Sequence, residues 1–318
     1  MYLAAFSFGR KWGNCEVFLK SALMGAEERG VEVRFYRLRD YELHNCSTCY
    51  YDACPASRDP HLCKYKDDAP FLIEEFLNSD GVLLAAPIYA ISPNSMFFAF
   101  RDRVFGPKLD IARSAAGRPE QPWIKGRGKA RAGGLISVGG ALTENWTSLG
   151  LPSLYSCVFS PQTEVVDQMN IYGVASLGEA AAQEDYLARA RQLGRNVADA
   201  MLTGDHSWRG DEAGVCPCCH LDTVTLLPGN KKVCCPVCGI YADVVIKDGA
   251  LTFDWPDNME YRQHNRQAFH GKLDHLQEID RHKDIFAPQR ERALQLLEQY
   301  KAYSVCEVPP PSKEKNHA

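Results

Sequence analysis

From Tyr2 to Leu202 short apolar runs alternate with longer amphipathic ones, and this alternation limits the folds open to the chain more than any other feature. The runs Tyr2 to Ser7, Val31 to Tyr36, Gly81 to Ala86, Ala132 to Val138 and one within Glu164 to Val174 read as strands. Cys15 to Arg29, Asp68 to Asn78, Ser95 to Phe105 and Glu184 to Leu202 read as helices. In the first of these, Leu19, Ala22, Leu23 and Ala26 share a face, Asn14 is placed to cap the start and Gly30 to end it. Strands alternating with helices predict an α/β fold, a doubly wound parallel sheet covered on both faces.

After Leu202 the alternation stops and cysteines become the informative residues. The chain has 13 of them, with 45% hydrophobic and 24% charged residues and a net charge of -4. That balance argues against a surface built throughout to hold polyphosphate. No run of about 18 apolar residues and no signal-peptide pattern occurs, so a cytoplasmic protein with no membrane partner is expected. In a reducing compartment, clustered cysteines read first as metal or redox ligands. The expected organisation is a main domain over 1–204, a small β-rich module over 214–256, a helical region over 257–304 and a disordered tail over 305–318.

Cys216, Cys219, Cys235 and Cys238 form two CxxC knuckles with fifteen residues between them, the spacing of a zinc ribbon. Zinc is the default for four thiolates, and iron in a rubredoxin-like site is the alternative. Such a metal folds a module too small to hold a core of its own. Asp211, Glu212, Asp222, Asp243, Asp248 and Asp254 outweigh Lys231, Lys232 and Lys247 around the knuckles. A nucleic-acid partner is therefore not expected.

Three loops follow strands of the main domain: Ser7 to Asn14, Ala86 to Asn94 and Ser137 to Ala141. Ligands of an open α/β sheet sit beyond its strand C-termini where strand order reverses, so these loops predict a mononucleotide site. The first loop with Gly13-Asn14, the Cys46 to Asp68 segment, Pro87-Ile88-Tyr89 and the helix end Phe100-Arg-Asp-Arg103 together resemble the NADPH-dependent FMN reductases of flavodoxin-like fold, and among them the iron-sulfur flavoproteins. The resemblance covers about residues 1 to 200. It implies that Ser7, Arg10, Gly13, Asn14 and Cys15 hold the FMN phosphate, with Cys15 standing where the family has threonine. It also implies that the segments 87–94, including Pro87, Ile88, Tyr89, Ser92 and Asn94, and 137–140, including Ser137, Gly139 and Gly140, line the flavin ring. NAD(P)H or a ferredoxin-like carrier is the implied donor, and a homo-oligomer the implied assembly. No GxGxxG follows a strand, so no separate nicotinamide fold is indicated.

Cys46, Cys49, Cys54 and Cys63 lie where iron-sulfur flavoproteins carry four cysteines, and four thiolates on a loop suit a [4Fe-4S] cluster. Packed or free thiols, and a zinc site, are the alternatives. Beside a flavin, such a cluster would convert between one- and two-electron donors. Tyr89 is the candidate catalytic proton donor, better placed than His264, His270, His275 or His282 in the C-terminal region. The expected function is an FMN-dependent reductase of a small organic acceptor such as a quinone or an unsaturated or nitro compound. The competing expectation is a redox sensor or a binding protein that uses the ribbon.

Overall fold

In the computed structural model, which describes residues 1–47, 54–104, 121–158, 161–211, 214–255 and 280–302, the alternating runs of the N-terminal half pair as a parallel sheet. The strands β1 (Tyr2–Ser7), β2 (Glu32–Arg37), β3 (Gly81–Tyr89), β5 (Arg131–Gly139) and β6 (Thr163–Ile171) stand in the order β2-β1-β3-β5-β6, and β4 (Ser92–Pro93) folds back antiparallel onto β3. This is the flavodoxin-like order, and the strand sequence reverses direction between β1 and β3. Ligand crevices open at such a reversal.

The period-two alternation of β1 divides its side chains between two cores. Leu3 and Ala5 pack with α1 (Asn14–Glu27) and α5 (Glu184–Thr203) on one face. Tyr2, Ala4 and Phe6 pack with α2 (Ala69–Asn78), α3 (Ser95–Val104) and α4 (Gly150–Leu154) on the other. The first face closes tightly because glycines meet where α1 and α5 touch. A Cβ on Gly194 would lie 1.7 Å from the Ala22 carbonyl oxygen, and one on Gly25 2.0 Å from that of Arg191.

One local expectation is corrected. Asn14 does not cap α1: Gly13 holds the cap position and no side chain bonds the helix start. The Asn14 amide instead donates to the Val174 carbonyl at 3.2 Å and accepts from the Ala180 N–H at 3.3 Å, tying α1 to the segment after β6. A buried amide finds those partners because unpaired backbone groups there would be costly. Gly30 ends the helix as expected, at φ +80°.

The cysteine-rich segment forms an antiparallel meander of β7 (Thr225–Leu226), β8 (Lys232–Cys234), β9 (Tyr241–Lys247) and β10 (Ala250–Asp254). It belongs to one compact unit with the sheet, Met1–Leu273. Its four knuckle cysteines, Leu221 and Ile240 share the core that also holds Leu151, Leu154 and Tyr155. The Tyr155 hydroxyl donates to the Cys219 carbonyl at 2.6 Å, and the Gln168 amide donates to the carbonyls of Cys219 and His220 at 3.2 and 2.6 Å. Residues 205–211 run along the sheet edge, where the Arg209 N–H bonds the Val166 carbonyl at 2.7 Å and Trp208 stacks on His220. The second unit, Asp274–Ala318, contains α6 (Arg290–Ala302). The expected tail over 305–318 and His264, His270 and His275 lie outside the described residues. Among the described residues, no helix is long and apolar enough to cross a membrane.

Candidate functional site

A cavity of about 540 Å³ opens at the C-terminal ends of the strands, at the reversal between β1 and β3. Its walls come from Gly9, Arg10 and Gly13 to Cys15 after β1, Pro87 to Ala90 at the end of β3, Val138 to Ala141 at the end of β5, Trp146 and Thr147 ahead of α4, and Val174 and Ala175 after β6. The volume is within the range of small-molecule and cofactor sites.

Of the expected site residues, Arg10, Gly13, Asn14, Cys15, Pro87, Ile88, Tyr89, Gly139 and Gly140 line this cavity. Ser7, Ser92, Asn94 and Ser137 stand behind it. The Asn94 amide donates to the Phe8 carbonyl at 2.8 Å, and its oxygen accepts the Phe97 N–H at 3.2 Å, so it joins the first loop to the start of α3. Ser92 pairs with Tyr89 across the β3–β4 turn. Ser7 and Ser137 are buried, and their hydroxyls have no hydrogen-bond partner among the described residues. Trp146, Thr147, Val174 and Ala175 escape a reading of the sequence. Val174 and Ala175 follow a strand end, which is the signal that would have found them; Trp146 carries none.

The residues present fit FMN. With no side-chain cap, the first-turn N–H groups of α1 are left for an anion, and the Arg10 guanidinium stands on the same rim. Cys15 faces the same space, and burial pushes its thiol up to about 12, so it remains a neutral S–H donor. The glycines let the wall segments close on one another. A Cβ on Gly140 would come within 2.9 Å of Ala175, and one on Gly139 within 2.2 Å of Thr147 Cγ2. Beside them, where Ile88 pairs with Gly139, the β3–β4 turn holds Ala90 and Ile91 at φ +48° and +67°, left-handed values that are strained for residues with a side chain. The turn presents Tyr89 at the rim, 64% exposed.

The Sγ atoms of Cys216, Cys219, Cys235 and Cys238 all lie within 4.8 Å of one another, and all four residues are buried. Four inward thiols so close together suit a tetrahedral cation. Cys46, Cys54 and Cys63 form no such group among the described residues, and Cys49 lies outside them. Arg103 is buried next to Cys63, with Nη2 3.6 Å from its Sγ, and is held by Asp67 and the His44 carbonyl.

Residues 7–142 match the family model described as NADPH-dependent FMN reductase. Flavone synthase cfoJ of Aspergillus candidus is 26% identical over 296 residues, covering 88% of this chain and 89% of that protein. An iron-sulfur flavoprotein of Methanocaldococcus jannaschii is 25% identical over 199 residues, 60% of this chain and 92% of that one. Among solved structures, a flavone reductase superposes with a TM-score of 0.74 at 25% identity, over 98% of this chain and all (100%) of that one.

Proposed function

We propose, from an N-terminal domain that belongs to the NADPH-dependent FMN reductase family, that this flavin oxidoreductase uses NAD(P)H to reduce the conjugated carbon–carbon double bond of a flavone-type acceptor. The observation that carries the acceptor class is likeness over nearly the whole chain, ribbon included. The solved structure is named for consuming a flavone and the Aspergillus protein for making one, two directions of a redox change on one kind of molecule.

Bound FMN supplies hydride transfer between donor and acceptor. Arg10 and the start of α1 would hold its phosphate, and Gly139 and Gly140 let Thr147 and Ala175 close the wall around it. Hydride addition to a conjugated double bond puts negative charge on the acceptor oxygen and carbon, and a proton must follow. Tyr89 is the hydroxyl at the rim that supplies it. Trp146, 59% exposed in the cavity lining, offers a ring for a planar acceptor to lie against.

Anaerobic incubation with flavone and NADPH is expected to give a product two hydrogens heavier, one NADPH consumed per product. Absence of flavone-dependent NADPH consumption in the FMN-loaded protein overturns the acceptor assignment. Tyr89→Phe is expected to lower flavone-dependent turnover about 100-fold while flavin reduction by NADPH is unchanged. Equal losses in both half-reactions would remove Tyr89 from the proton-donor role.

A second reading adds a [4Fe-4S] relay on Cys46, Cys49, Cys54 and Cys63, fed by a ferredoxin-like carrier. It is supported by the names of the iron-sulfur relatives and by the Arg103 N–H beside Cys63, a donor suited to a thiolate. Anaerobically purified protein is then expected to hold about four iron atoms per chain and to bleach with dithionite. An iron-free, colourless apoprotein ends this reading and leaves the flavin one standing.

A further inference from the structure

Trp12 sits between Arg10 and Gly13, which line the cavity, yet its own ring lies outside and is 61% exposed. The backbone holds it there at φ +59°, a left-handed conformation unfavourable for any residue with a side chain. Two bonds fix that conformation: the Trp12 N–H donates to Glu16 Oε2 at 3.0 Å, and the Gly13 N–H donates to the Arg10 carbonyl at 3.0 Å. Around the ring stand Lys20 Nζ at 4.8 Å, Lys11 Nζ at 5.7 Å and the Arg37 guanidinium carbon at 6.0 Å from its centroid. Glu16 pairs with Lys20 and Arg37, and Asp40 with Arg37. Three cations therefore face two carboxylates around the ring, in a chain whose net charge is -4.

We propose that Trp12 and these cations form a docking platform for the adenosine-phosphate half of the dinucleotide donor, an inference that rests on the NAD(P)H reading above. The chemistry selects a flat aromatic ring flanked by anionic groups. Indole stacks on a purine, and ammonium and guanidinium groups beside it take phosphate oxygens. The platform adjoins the cavity through Arg10 and Gly13, so a donor anchored on it has its nicotinamide end free to enter.

The test uses the full chain loaded with FMN. Trp12→Ala is expected to raise the apparent Kd for NADPH in stopped-flow flavin reduction about tenfold, with the limiting rate unchanged, and Trp12→Phe to restore most of the affinity. Reduced nicotinamide mononucleotide lacks the adenosine half, and its reaction is expected to be the same in wild type and Trp12→Ala. Adenosine 2′,5′-bisphosphate is expected to compete with NADPH in the wild type and about tenfold more weakly in Trp12→Ala. Equal losses with both donors, an unchanged Kd for NADPH, or weaker retention of FMN in Trp12→Ala overturns the platform. If neither donor reduces a wild-type flavin that dithionite does reduce, the NAD(P)H reading itself falls, and the platform with it.

Discussion

Glu16 is the residue on which the loop between β1 and α1 depends. It is 1% exposed, accepts the Trp12 N–H, and takes both Arg37 and Lys20. Burial pushes its carboxyl up, but the hydrogen bonds from Arg37 and Lys20 outweigh this and hold it at about 2, against an ordinary 4.5. A carboxyl lowered on folding contributes stability above its unfolded value and loses it as pH falls through the folded one. The difference in Tm between wild type and Glu16→Gln is expected to be full at neutral pH and to shrink from about pH 4.5 toward pH 2; a pH-independent difference would exclude the ion pairs as its source. Little of this is legible in the sequence. The loop Ser7 to Asn14 reads as an anion site, but the pairing of Glu16 with Arg37 joins residues on different elements that only the fold brings together.

At the scale of elements, the packing of α1 on α5 turns on glycine. Periodicity places Leu187, Ala190, Leu193 and Val197 on the buried face of α5, but it does not show that Gly194 meets the backbone of the other helix. Alanine would favour the helix by about 1 kcal/mol on propensity alone. A Cβ 1.7 Å from a carbonyl oxygen cannot be accommodated unless the helices separate, and overpacking of this kind costs about 3 kcal/mol. Gly194→Ala is therefore expected to be destabilising, by about 2 kcal/mol net in urea unfolding. A stabilised variant would mean that the two helices are free to move apart.

For the whole molecule, the ribbon is part of the flavodoxin-like domain's core and not a pendant module. Tyr155 joins them: its hydroxyl bonds the Cys219 carbonyl, and it directly follows α4, whose Gly150 lies so close to β5 that a Cβ would meet Ser137 Oγ at 2.3 Å. The segment just before α4 supplies Trp146 and Thr147 to the cavity. The four knuckle cysteines are therefore joined through α4 to the cavity wall. Zinc is expected at one ion per chain. Chelation, or Cys235→Ser, is expected to lower both the Tm and the affinity for FMN, measured by flavin fluorescence on titration. Unchanged FMN affinity in metal-free protein would show that the ribbon folds independently of the site.

By itself the sequence determined the strand and helix alternation, the parallel sheet, the CxxC spacing and the three loops at the strand ends, because these are set by periodicity and turn chemistry over a few residues. Only the tertiary structure decided where Asn14 sends its amide, that Trp146 and Val174 complete the cavity, that Trp12 is held outside it among cations, and that the ribbon shares a core with α4. Those outcomes depend on which polar groups and side-chain faces meet between different elements, 160 residues apart for Asn14 and Val174 and 64 for Tyr155 and Cys219, and no local pattern encodes such meetings.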